Sequence, residues 1–135
     1  MKKFLHSAGK VILSLILIMP VLGVFGILGE ATRDLYNTDL GFSFIQLLTE
    51  VRYITYMMAA IHVVALIALW TKREALAALL IAPITANVVG FHLFIDGGLF
   101  TGGALLGNIM LLLNAYLLWR NREAYAAILA PRSVR

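Results

Sequence analysis

Hydrophobic and polar residues in this chain fall into long blocks instead of alternating or tracing one stripe. Four apolar runs stand out, at residues 11–29, 54–70, 75–95 and 99–119, and the first and last carry no charged side chain. Crossing a hydrocarbon core of roughly 30 Å takes about 20 helical residues at 1.5 Å each. The first, third and fourth runs are about that long, and the second reaches it once Val51, Arg52 and Tyr53 add a turn. The approximate spans are therefore 11–29, 52–70, 75–95 and 99–119. Lys2 and Lys3 precede the first run as they would a signal peptide, but the run exceeds a signal core and no small-residue cleavage site follows it. It is expected to stay as a span.

The connections set the arrangement. Only Thr71-Lys72-Arg73-Glu74 separates the second run from the third, and Asp96-Gly97-Gly98, with Gly102-Gly103 soon after, separates the third from the fourth. Links this short make antiparallel neighbours. The stretch from 30 to 52 is longer. Within it, residues 42–51 place Phe44, Ile45, Leu47, Leu48 and Val51 close to helical spacing, which predicts a short helix lying on the outer leaflet. Residues 123–129 predict a similar cytoplasmic stub, stopped by Pro131. The expected fold is an all-α membrane protein in one domain, residues 1–135: an antiparallel four-transmembrane-helix bundle with a short interfacial helix in the first outer loop. Pro20 and Pro83 each remove a backbone hydrogen bond inside a span. Gly23-x-x-Gly26-x-x-Gly29 and Gly103-x-x-x-Gly107 offer small surfaces for close helix approach.

Composition agrees with lipid as the solvent. The chain is 61% hydrophobic and 13% charged, with a mean hydropathy of +0.91, whereas a soluble domain is about half apolar and one quarter charged. The absence of cysteine removes thiol exchange and thiolate metal sites from the chain's own chemistry. A net charge of +4 is compatible with nucleic-acid binding, but the basic residues form no single patch. They flank the apolar runs, and they do so unevenly. Lys2, Lys3, Lys10, Lys72, Arg73, Arg120, Arg122, Arg132 and Arg135 fall on one side, against Arg33 and Arg52 on the other. Basic loops stay in the cytoplasm, so both termini are expected there. Trp70 and Trp119 then belong to the inner interface and Tyr53 to the outer one.

Polar groups within spans are costly, so each calls for a partner or a use. They are Ser14, Thr55, His62, Thr85, Asn87, His92, Asn108 and Asn114. A haem held between His62 and His92 needs the two at one depth. Helical rise separates them by roughly 15 Å, which argues against it. Asn87 and Asn108 share a middle layer and are expected to bond to each other. His62 is read as a neutral core histidine bonded to a neighbour such as Asn114, with a ligand or proton relay as the alternative. His92 and Asp96 stand four apart on one face, near the outer surface, with Glu30, Arg52 and Glu50 at a similar level. Glu30, Arg52, His92 and Asp96 are thus a candidate outer cluster. It is readable as a proton-exchanging or quinone-headgroup site, or as a network fixing the helix ends. No phosphate-binding glycine loop, nucleophile elbow or paired-histidine metalloprotease motif is present, and no residues suggest a metal centre.

The stretch Asn87-Val-Val-Gly-Phe91-His92-Leu-Phe94-Ile-Asp96 resembles the third-helix signature of the DoxX-like membrane proteins. Leu111-Leu-Leu-Asn114-Ala-Tyr116-Leu-Leu-Trp119-Arg120-Asn-Arg122-Glu123 is similar to that family's fourth helix and charged tail. The resemblance is specific over residues 74–129 and general before them. It implies a four-helix bundle in a bacterial cytoplasmic membrane. The family takes its name from subunits of a thiosulfate:quinone oxidoreductase, and some members are tied to redox defence. One position departs: many relatives carry a glutamate in the middle of the second helix, where this chain has His62 within Ala59-Ala60-Ile61-His62-Val63-Val64-Ala65. Two functions follow as expectations. One is an accessory subunit packed against a larger membrane complex or another copy of itself. The other is a free-standing redox or transport protein with a quinone or small-molecule site between its helices.

Overall fold

The computed structural model describes residues 1–130, and every regular element among them is helical. In chain order these are α1 (Lys2–Val24), one 3₁₀ turn (Arg33–Leu35), α2 (Asp39–Val51), α3 (Tyr53–Trp70), α4 (Glu74–Phe94), α5 (Ala104–Arg120) and α6 (Arg122–Leu129). Helices α1, α3 and α4 are long and apolar enough to cross a membrane, while α5 is apolar but shorter, at 17 residues. α4 lies along both α3 and α5, and α1 packs mainly on α3 and more lightly on α5.

The interior is built from small side chains. Ala65, Ala68, Ala77 and Ala78 face inward with Leu13, Leu17, Leu69, Ile81, Met110 and Leu117. Larger aliphatics such as Leu15, Ile67, Leu79 and Leu112 point outward and stay exposed. A soluble bundle buries one apolar stripe and covers the rest with polar residues. Here the outer face is apolar too, and the alanines let the backbones approach closely, as in helices packed within lipid. Such a surface, with three helices long and apolar enough to cross a membrane, suits a membrane protein.

Helix boundaries differ from the sequence reading for local reasons. α1 begins at Lys2, which puts Lys3, His6 and Lys10 on a helix. It ends at Val24, because Gly26 and Gly29 adopt φ of 71° and 77° beyond it. The Gly23–Gly29 pattern is therefore a helix stop and not a packing surface, and nothing lies within 4 Å of where a Gly23 side chain would begin. Gly107 does mediate close packing: a Cβ there would meet Val88 at 3.0 Å. α2 begins three residues before Phe42, because the Thr38 hydroxyl caps it by accepting the Gly41 N–H at 2.9 Å. α5 starts at Ala104 instead of Leu99, since residues 97–103 form the turn that leads into it. Helix α3 stops where Lys72 turns left-handed (φ 63°) and the Arg73 N–H donates back to the Ala68 carbonyl. α6 occupies the segment read as a short stub, while Pro131, Arg132 and Arg135 lie outside the described residues.

Candidate functional site

The most enclosed charged residue is Asp96, at 0% exposure. It sits just past α4, where the Phe91 carbonyl accepts the N–H groups of both Ile95 and Asp96, and the His92 carbonyl accepts that of Gly98 at 2.7 Å. Gly97 and Gly98 complete the reversal at φ of 88° and 107°, which side-chain-bearing residues rarely adopt. The reversal aims the carboxylate at the segment leading into α2. Its Oδ1 accepts the backbone N–H groups of Asn37 (2.8 Å) and Thr38 (3.3 Å), and its Oδ2 accepts the Asn37 side-chain amide (3.1 Å). Thr38 closes the loop by donating its hydroxyl to the Ile95 carbonyl at 2.6 Å. His92 Nδ1 stands 3.3 Å from Oδ2, in ion-pair range but off the direction of a hydrogen bond.

The surroundings are shaped to this clasp. A Cβ on Gly41 would lie 2.6 Å from Asp96 Oδ1, so only glycine leaves the carboxylate its seat. Phe91 backs the clasp, with Tyr36 at 6.3 Å in a T-shaped arrangement and Phe44 at 5.7 Å between ring centres. Burial would raise the Asp96 carboxyl. The Asn37 and Thr38 donors and the nearby imidazole outweigh it and hold the group below its ordinary 3.8. The Tyr36 phenol moves up, through burial and then the Asp96 charge. A carboxylate whose oxygens are occupied by N–H donors is a joint, and it has little freedom to exchange protons.

Of the candidate outer cluster, the structure brings together His92 and Asp96 only. Glu30 and Arg52 are exposed and contribute no contact to the carboxylate among the described residues. Glu30 follows the glycine turns that end α1, and Arg52 is carried away along the 13 residues of α2, roughly 20 Å at helical rise. Asn37 and Thr38 take their places. The expected Asn87–Asn108 bond is absent as well. Asn87 is exposed and donates to the Pro83 carbonyl on its own helix at 3.0 Å, and Asn108 donates to the Leu99 carbonyl at 2.7 Å. The expected His62–Asn114 bond fails because the Asn114 amide crosses to the Ala78 carbonyl of α4 at 3.0 Å. That leaves His62 2% exposed, with neither ring nitrogen bonded.

At the opposite end lies a cluster that the sequence reading missed. Glu74, the first residue of α4, receives Lys10 Nζ at 3.0 Å and has His6 Nε2 at 3.0 Å on the same oxygen, with Arg120 Nε at 3.9 Å from the other. His6 and Arg120 both approach the Tyr116 hydroxyl at 3.4 Å. The Trp70 indole donates to Ser14, and Lys10 stands 4.8 Å over the Trp70 ring. Helices α1, α3, α4 and α5 meet here. The available signal is the four-residue spacing of His6 and Lys10, which precedes the apolar run that begins at residue 11. Comparison of the chain with protein-family models, curated proteins and solved structures finds no match.

Proposed function

We propose that this chain is a small DoxX-like integral membrane protein acting as an accessory, structural subunit of a bacterial membrane complex. In this reading α1, α3, α4 and α5 cross the inner membrane as an antiparallel bundle. Both ends are cytoplasmic, and α2 lies in the outer interface. The observation that carries the structural role is the closed Asp96 clasp. Asp96 fastens the α2 segment to the α4–α5 turn with His92 beside it, and the carboxylate has no exposed surface. Partner contact then falls to the exposed apolar helix faces, such as Leu15 and Leu112. Extraction in mild detergent tests this: a stoichiometric membrane partner, or a defined oligomer, should co-purify. An isolated monomer carrying a bound quinone or haem would overturn it.

One observation favours a second reading, a free-standing redox or transport protein. His62 is buried in α3 with both ring nitrogens unbonded, and such a group in a membrane interior marks a candidate ligand or proton site. Under that reading His62→Leu abolishes bound quinone or transport without changing assembly.

A further inference from the structure

The Glu74 end of the bundle carries more positive charge than its two carboxylates can balance: Lys3, Lys10, Lys72, Arg73, Arg120 and Arg122 stand against Glu74 and Glu123. Lys10 and His6 occupy Glu74 Oε1 at 3.0 Å, so Lys3 and Arg120 are left with little compensation: Arg120 lies 3.9 Å from Oε2 with half of its side chain exposed. Lys3, His6, Ser7 and Arg120 line a depression of about 300 Å³. Arg120 also forms one wall of an adjoining groove of about 500 Å³, whose other walls are Leu5, Gly9, Leu113 and Tyr116. That groove runs between α1 and α5, which touch lightly. Gly9 keeps it open, since even a methyl there would press on Leu113 at 3.3 Å. A basic, hydroxyl-bearing pocket thus opens into an apolar trough at Arg120.

We propose that this pair of hollows binds one anionic phospholipid. The phosphate would sit among Lys3, Ser7 and Arg120, and an acyl chain would lie along Leu5, Gly9 and Leu113. The assignment rests on the reading of the chain as a membrane protein, though not on which side of the membrane this end faces. Charge complementarity selects the headgroup: a zwitterionic lipid brings its own cation into a site that already holds uncompensated ones. The trough selects a lipid over a free anion, because exposed apolar walls beside the phosphate gain nothing from an ion without a tail. Basic pockets between helix ends are a recurrent way of holding anionic headgroups, and each basic residue near the surface contributes about 1 kcal/mol. Arg120 suits the task, since its planar fork can hold two phosphate oxygens while the Tyr116 hydroxyl steadies it.

The test is native mass spectrometry of the full chain purified in mild detergent. It is titrated with phosphatidylglycerol or with phosphatidylcholine of identical acyl chains, with inorganic phosphate as a third arm. The wild type should retain one phosphatidylglycerol in preference to phosphatidylcholine. Lys3→Gln and Arg120→Gln should each cut that preference roughly fivefold. Arg122→Gln, which removes the same charge from a side chain stacked on Trp119 outside the hollows, should leave it unchanged. Circular dichroism on the same samples confirms that the variants fold. Equal retention of the two lipids, an equal loss in Arg122→Gln, or full displacement by millimolar phosphate would each overturn the site. Alkaline carbonate extraction of the source membranes separates that failure from failure of the membrane reading itself, which would release the chain without detergent.

Discussion

The two ends of the bundle each bring a carboxylate out of water, and they balance it by different means. At one end Asp96 is fully enclosed and compensated mainly by neutral N–H donors from Asn37 and Thr38. At the other, Glu74 is partly exposed and balanced by the charges of Lys10 and Arg120, with the His6 ring bonded to the same oxygen as Lys10. Neutral donors fixed on a backbone give directional, short-range compensation that salt screens little. Long cationic side chains give a diffuse field that salt weakens and that an outside anion can share. The first end is therefore built to hold one geometry, and the second to accept a partner.

The comparison breaks most easily at Asp96. Asp96→Ala strands three N–H donors and should lower thermal unfolding stability in detergent by about 3 kcal/mol or more; an unchanged midpoint would mean that the clasp does not hold the loop. Its pH dependence follows from the sign of the shift. The folded carboxyl is depressed, so its contribution is complete above the ordinary 3.8 and is lost only as the pH falls through the lower folded value. Acid titration of loop protection by hydrogen exchange should show that loss in the wild type and not in Asp96→Asn. Gly41→Ala comes next, at about 1–3 kcal/mol, because its methyl would collide with Asp96 Oδ1. Gly102→Ala on the α4–α5 turn, with nothing within 4 Å, should cost less than about 0.5 kcal/mol. At the other end Glu74→Gln should cost only about 1 kcal/mol, and the difference from wild type should shrink in high salt. A salt-independent loss would make the two ends alike. The smallest effect is expected between the ends: His62→Leu removes two unbonded nitrogens and should be neutral within about 0.5 kcal/mol, or stabilising. A loss above about 2 kcal/mol would show that His62 has a partner in the membrane.

Apolar block length made the long helices legible, and the spacing of His92 and Asp96 correctly placed them side by side. The same spacing could not supply the rest of the clasp. Asn37 and Thr38 lie in a polar loop with no periodicity, and they reach Asp96 only because the Gly97-Gly98 reversal and the Thr38 cap bring two distant turns together. Depth along a helix was a poor guide to which polar groups pair. Asn87 and Asn108 each found a nearer backbone carbonyl, a local competitor that layer counting does not include. At the opposite end, starting the first helix at its apolar run hides about two and a half turns of α1, and with them the faces of Lys3 and His6.

The clasp also constrains how the chain is made. Asn37 and Asp96 are separated by 59 positions, so at 5–20 residues per second the loop emerges roughly 3–12 s before its carboxylate partner is synthesised. Through that interval α1 and α3 have each other to pack against and α2 can rest on α3, but the Asn37–Thr38 turn lacks its carboxylate. Fastening must wait until α4 and the turn after it have been made. The order of synthesis therefore makes the Asp96 joint the last of this loop's contacts to form.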